Sequence, residues 1–175
     1  MLIDIALAVV VFVGALLAFA STRPRSMHIE RSARIKAPAE TIYSFISDFR
    51  RWEGWSPWER LDPLMKKTYS GAAGGKGSVY EWLGNSKAGQ GRMEMTDVSA
   101  ASHVTIKLDF IKPFEGHNIT QFRLAPDGDA TNVTWAMDGP SPFMMKVMGI
   151  FVNMDKMIGK DFESGLANLK AQAEK

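Results

Sequence analysis

No cysteine occurs in the 175 residues, which excludes a disulfide framework and any thiolate metal site. The lack leaves the redox compartment open, because disulfide-free proteins occur everywhere. Histidine is nearly as scarce: His28, His103 and His117 stand far apart, without the short spacings of zinc sites, so no metal is expected. Nor does any cluster of Lys and Arg mark a nucleic-acid face. With Asp4 set aside, 21 basic residues face 18 acidic ones, and the surplus is spread along the chain. Ser56 and Ser141 lack a neighbouring base or nucleophile elbow, so no catalytic residue and no cofactor is assigned.

Charge is absent altogether between Ile5 and Ala20. These sixteen residues, or nineteen counted from Leu2, lie at the short end of the roughly 17 to 25 that a spanning helix needs. Ala18-Phe19-Ala20 has the small-x-small pattern of a cleavage site, yet no Lys or Arg precedes the apolar run as in a signal peptide. Arg23, Arg25, Arg31, Arg34 and Lys36 follow it, and the rule that basic flanks stay inside puts the body of the chain in the cytoplasm. The expected organisation is a single-pass anchor or uncleaved signal over 1–20 (membrane contact through 2–20), a linker over 21–26, and one domain over 27–175.

Within that domain, partial alternation over Met27 to Lys36 predicts a first strand. Pro38, with Ile42, Phe45, Ile46 and Phe49 at spacings of three and four, predicts a helix with one buried face. Then come Asp48-Phe-Arg-Arg-Trp-Glu-Gly-Trp-Ser-Pro-Trp58, three tryptophans in one short stretch, suited either to the wall of an apolar pocket or to a well-packed corner. Six further strands are predicted over Lys66–Ser70, Gly77–Leu83, Gly89–Val98, His103–Ile111, Gly116–Ala125 and Thr131–Asp138. Alternation points Tyr80 and Trp82, Met93 and Met95, Val104 to Phe110, Phe122 and Leu124, and Val133, Trp135 and Met137 inward. Glu81 and Glu94 then face water; Asp97 shares the Met93 and Met95 face and is the best single acid/base candidate if burial raises its pKa.

The last thirty residues or so keep near-helical apolar spacing from Phe143 to Leu169, with a bend or break expected near Gly149 or Gly159. Their methionines, Met144, Met145, Met148, Met154 and Met157, suit either ordinary core or an adaptable wall for a greasy ligand. Gly71-Ala-Ala-Gly-Gly-Lys-Gly-Ser78 has a superficial likeness to a phosphate loop, but a strand follows it and Gly77 takes the place of the hydroxyl residue. A flexible hairpin at a pocket mouth is expected there instead.

Strand, helix, six antiparallel strands and one long helix predict an α+β fold in which a curved sheet wraps the final helix, preceded by one transmembrane helix. Ile35-Lys-Ala-Pro-Ala-Glu-Thr-Ile-Tyr-Ser-Phe-Ile-Ser-Asp48, the tryptophan stretch, Gly77-Ser-Val-Tyr-Glu-Trp82, Thr131-Asn-Val-Thr-Trp135 and Phe162-Glu-Ser-Gly-Leu-Ala-Asn-Leu169 together resemble the SRPBCC superfamily of START-like, helix-grip proteins. The resemblance is to its polyketide cyclase/dehydrase-type branch and covers about residues 27–172. It implies a scaffold shared by lipid carriers, ligand sensors, cyclases and cochaperone-like modules, so it points to a fold more than to an activity.

The expected partner is therefore a hydrophobic small molecule or lipid held in an internal cavity. Its expected lining is Trp55, Trp58, Tyr80 and Trp82 on one side, Met93, Met95, Phe110 and Phe122 across the sheet, and Trp135, Met137, Val147 and Phe151 toward the C-terminus. Two alternatives stand beside it. An enzyme of the cyclase/dehydrase or hydrolase type would need an inward polar pair, which the pattern does not display. A protein-interaction module would expose the indoles as a partner-binding patch; the sequence names no protein partner.

Overall fold

A computed structural model describes all 175 residues. Helix α1 (Leu2–Thr22) is followed by β1 (Ser26–Ile35), α2 (Ala39–Ile46), two 3-10 turns over Phe49–Gly54 and Pro57–Arg60, then β2 (Lys66–Gly71), β3 (Ser78–Leu83), β4 (Gln90–Ser99), β5 (His103–Lys112), β6 (Gly116–Asp127) and β7 (Ala130–Pro140). Helices α3 (Phe143–Phe151) and α4 (Met154–Ala173) close the chain. The strands form one antiparallel sheet in the order β1-β7-β6-β5-β4-β3-β2, so β1 and β2 are its edges. This is the α+β helix-grip arrangement, and each expected strand is present.

The long C-terminal helix is broken in two, just past Gly149, one of the two expected points. The break falls at Val152 and Asn153, where Val152 is extended and the Asn153 side chain caps α4 by accepting from Lys156 N at 2.9 Å. Gly159, the other expected weak point, lies within unbroken α4. A side chain there would strike the Arg31 guanidinium, so glycine lets α4 approach β1. Arg31 in turn bonds Asp155 (3.0 Å) and Glu163 (2.8 Å), and these charge-assisted bonds push its pKa up. Lys170 Nζ donates to the Arg34 carbonyl at 3.0 Å farther along the same strand.

Chain direction fixes two ends of the sheet. Strand β1 starts, and β7 ends, at the end next to α1; the β3–β4 and β5–β6 hairpins turn there too. The opposite end carries α2, the glycine-rich β2–β3 loop and the β6–β7 turn. That loop is docked rather than loose, correcting the flexible hairpin expected at a pocket mouth: Gly75 N donates to Ser47 O at 2.7 Å and Gly77 N to Met95 O at 2.8 Å.

Aromatic rings fill the space between sheet and α4. Trp135 on β7 stacks on Phe162 of α4 with centroids 4.3 Å apart and planes at 5°. Trp52, Trp55 and Trp58 all meet the Trp135 ring edge-on, at 6.4, 5.6 and 5.5 Å. Trp52 Nε1 and Trp55 Nε1 donate to the Ile46 and Phe45 carbonyls at the end of α2, and Trp135 Nε1 to Thr120 Oγ1, so the buried N–H groups are satisfied. The tryptophan stretch is thus a well-packed corner, burying aromatic surface worth about 1.5–3 kcal/mol per side chain.

Gly165 faces that stack, and a Cβ there would lie 2.7 Å from the Trp135 ring. Gly165→Val is expected to cost about 1–3 kcal/mol by overpacking, read as a lower urea midpoint by tryptophan fluorescence; an unchanged midpoint would show the stack to be yielding.

Candidate functional site

Register sorts the concave face into rows that run across the sheet. Nearest the α1 end lie Lys67, Trp82, Gly91 and Phe110, partnered strand by strand, with Gly116 opposite Phe110. The next row holds Tyr69, Tyr80, Met93, Leu108 and Asn118; the one beyond holds Met95, Ile106, Thr120, Met137 and Ile29. Val104, Phe122 and Trp135 follow toward the far end.

Burial falls steeply along these rows. On β5, Val104 and Ile106 are 0% exposed, Leu108 is half-buried and Phe110 reaches 36%. On β3, Tyr80 is buried and Trp82 only half-buried. On α4, Leu169, Leu166 and Phe162 are buried, Ile158 is half-buried and Met157 is exposed. The groove between sheet and helix is therefore plugged by its own aromatics at the α2 end and open at the α1 end. Trp82 and Phe110 meet edge-on at the opening, 6.0 Å apart, with Trp82 Nε1 fixed on the Ala88 carbonyl.

Asn118 lies one row inside this opening, 6% exposed, and its carboxamide has no protein hydrogen-bond partner, whereas Thr120 beside it bonds Ala136 O and Trp135 Nε1. Gly139 leaves room for that carboxamide, since a Cβ at Gly139 would overlap it. The carboxamide is not sealed from solvent, since Glu59 Oε2 is the one fully buried side-chain polar atom left without a hydrogen bond, so Asn118 offers an accessible polar group one row inside the opening.

A second polar group borders the same rows and went unread in the sequence. Glu59 follows the last tryptophan of the stretch; its Oε1 accepts from the Tyr80 hydroxyl at 2.7 Å, and its Oε2 lies 2.6 Å from Lys67 Nζ. Lys67 is the one group that meets Oε2, at a charge-assisted distance although off the ideal hydrogen-bond line. Burial, then the bond to Glu59, push the Tyr80 phenol far above its usual range; burial opposes the Lys67 ammonium, but Glu59 outweighs it and the net direction is up. The alternation of Lys67 with Tyr69, opposite Trp82 and Tyr80, was the signal that would have turned this lysine inward.

Asp97 is not the buried acid. A bulge between Met95 and Asp97 reverses the alternation, so Val98 turns inward to pack on the core and Asp97 turns out, where the bond from His103 holds its pKa down. The carboxyl that burial does push up is Asp161, half-buried on α4 beside Phe162 and without an ion-pair partner. His28, His103 and His117 each pair with an aspartate across strands on the outer face: Asp138, Asp97 and Asp109. A depression of about 590 Å³ on that face is lined by polar side chains including Asp97, His103 and Arg123.

Of the residues expected to line a cavity, Tyr80, Trp82, Met93, Met95, Phe110, Phe122, Trp135 and Met137 share the concave face, with Trp55 and Trp58 packed over it. Trp55, Met95, Phe122 and Trp135 lie in the plugged part; Trp82 and Phe110 lie at the opening. Val147 and Phe151 do not join them, because the break at Val152 swings α3 away to pack against α1. Phe151 is 72% exposed, and α3 has no buried residue, so Met144, Met145 and Met148 are not core.

The model of the family described as polyketide cyclase / dehydrase and lipid transport matches residues 26–174. The chain belongs to that family. No curated protein sequence matches this family member. Among solved structures it is similar to a protein of Nitrosospira multiformis (20% identity, 84% of this chain and 96% of that one, TM-score 0.60). It is also similar to a protein of Chromobacterium violaceum (16%, 87% and 99%, TM-score 0.60) and to the major latex-like protein 151 of Panax ginseng (13%, 86% and 99%, TM-score 0.60). At these identities the likeness is one of fold.

Lys67→Met would leave the Glu59 carboxylate buried without its cation, and the expected loss is about 3 kcal/mol, largely recovered in the Glu59→Gln/Lys67→Met double variant. Lys67 and Tyr80 have raised folded-state pKa values. Their stabilisation is therefore complete below about pH 10, the ordinary range of both groups, and is lost as pH rises through the folded values. Alkaline unfolding should flatten in the double variant; a curve identical to that of the natural chain would remove this pair from the stability balance.

Proposed function

We propose that this family member is a membrane-anchored, non-enzymatic carrier or sensor that binds a hydrophobic small molecule or lipid at the open end of its groove. One observation carries the reading: apolar burial decays toward an opening that holds Trp82, Leu108 and Phe110 around the partnerless carboxamide of Asn118. Apolar surface covered there would favour binding by roughly 25 cal/mol per Å² before ordering costs, and Asn118 would orient one polar group of the ligand. The plugged inner part supports a short occupant or only the tail of a long one.

Helix α1 supports the anchor. Its most apolar 18-residue stretch has a mean hydropathy of 2.8, and the helix is exposed almost throughout. At about 1.5 Å per residue its length matches the roughly 30 Å hydrocarbon core. Asp4, its one charged side chain, meets the terminal amine at 2.6 Å at the outer end. The basic residues after α1 favour a cytoplasmic domain.

An enzyme is the second reading, favoured by one specific observation, the half-buried Asp161 of α4, which has no ion-pair partner and whose pKa burial pushes up. A module that presents the tryptophans to a protein is disfavoured, since Trp52 and Trp55 are 3% and 0% exposed.

Full chain extracted in mild detergent from its own source should carry a stoichiometric hydrophobic molecule, identified by native mass spectrometry and organic extraction. Trp82→Ala and Asn118→Val should each weaken uptake of an anilinonaphthalene dye or the extracted molecule by about tenfold, that is about 1.4 kcal/mol, while Ser102→Ala at the far end leaves it unchanged. An empty chain that ignores the dye would sink the binding proposal, and loss of a turnover of the extracted molecule in Asp161→Asn with binding intact would favour the enzyme.

A further inference from the structure

Exposed apolar surface is polarised on this protein. Outside α1, its large exposed hydrophobic side chains lie on α3 and the break after it, on the first turn of α4, on the β5–β6 hairpin, or on strand ends and loops at the α1 end, with Ile119 on the outer face of β6 the exception. On α3, Phe143, Met144, Met148 and Phe151 are 49%, 62%, 40% and 72% exposed, and Lys146 is the one charge in the helix. On the hairpin, Ile111 and Phe114 are 48% and 66% exposed. The loops at the far end, Gly71–Gly77, Ala100–Ser102 and Asp127–Ala130, present only small, polar or charged side chains. Such a one-sided patch marks an interaction surface.

We propose that α3 and the tip of the β5–β6 hairpin dip into the bilayer that α1 spans, seating the open end of the groove against the lipid. This rests on the reading of α1 as a membrane span. Three features select a bilayer over a protein as the occupant. First, α3 packs directly on α1, whose Ala20 is buried, so whatever surrounds this part of α1 also surrounds α3. Second, only Arg23, Pro24 and Arg25 separate α1 from β1. Three extended residues reach at most about 10 Å, the thickness of a single helix, so no folded partner fits between the sheet end and the membrane. Third, Arg23, Arg25, Lys112 and Lys146 flank the apolar side chains, as suits anionic headgroups at the level where an interfacial helix rests.

The geometry gives the patch a use. A lipid-soluble ligand would pass from the bilayer to Trp82, Phe110 and Asn118 without crossing water, and the exposed methionines of α3 would shape themselves to acyl chains.

Because the chain has no cysteine, single reporters can be placed in the full-length protein. Val11→Cys, Phe114→Cys, Phe151→Cys and Ser102→Cys would each be labelled with an NBD fluorophore in nanodiscs of phosphatidylcholine and phosphatidylglycerol, with and without acyl-chain nitroxide lipids. Loss of emission at positions 11, 114 and 151, with none at 102, is the expected result. Quenching at 11 alone would leave the span standing and overturn the docking. An unquenched position 11 would overturn the span and the docking with it. Blue-shifted but unquenched emission at 114 and 151 would mean that a protein, including a second copy of this chain, covers the patch instead.

Discussion

Everything in this fold is gathered on the indole of Trp135. It comes from β7, lies parallel to Phe162 of α4, and takes the edges of Trp52, Trp55 and Trp58 from the segment between α2 and β2. Three elements far apart in sequence therefore share one rigid contact. Gly165, across the stack, lets α4 come close enough for that contact to form. The helix is held a second time at its edge, where Arg31 bonds two carboxylates about two turns apart on α4. Aromatic packing sets the depth of the groove and the arginine sets the helix along β1.

The same cluster decides which end of the groove is filled. Rings that close the groove at the α2 end leave the opposite end without a plug, because α3 leaves the sheet at Pro140 and lies on α1. What remains there is a rim of Trp82 and Phe110 near the Asn118 carboxamide, a combination of apolar walls with one polar group that suits small amphipathic molecules better than fully apolar ones. Membership of a cyclase/dehydrase and lipid transport family agrees with such an occupant without choosing between carriage and chemistry.

Strand positions and inward faces were legible in the sequence, since period-two alternation is imposed by the pleat itself. Val104, Ile106 and Phe122 could be turned inward from spacing alone. Asp97 could not be turned outward, because the bulge beside it shifts the period by one residue and leaves no composition signal. The tryptophan stretch read equally as pocket wall or packed corner; the choice depended on Trp135 and Phe162, which are distant in sequence. Glu59 was hidden among aromatics, and its partner Lys67 looked like an ordinary solvated charge. Asn118 and Asp161 stood out in no motif, for their importance is a matter of what does not touch them. Phe151 and the methionines of α3 fit a helical stripe equally well whether that stripe meets a core or something outside the protein.

The Lys67–Glu59 pair has a bearing on a different hazard. β2 is the uncovered edge of the sheet, with a row of free backbone groups that could template pairing with a neighbouring copy. The strand is only six residues long, carries Lys66 as well as Lys67, and ends in glycine. A second copy that added a strand here would have to bury both lysines, one of them already turned inward and locked to a carboxylate. Molecules tethered to one plane collide far more often than molecules free in three dimensions, with their sheets held at the same height. In the membrane-anchored arrangement proposed above, a charged, inward-turned edge would keep the crowd from zipping into ribbons.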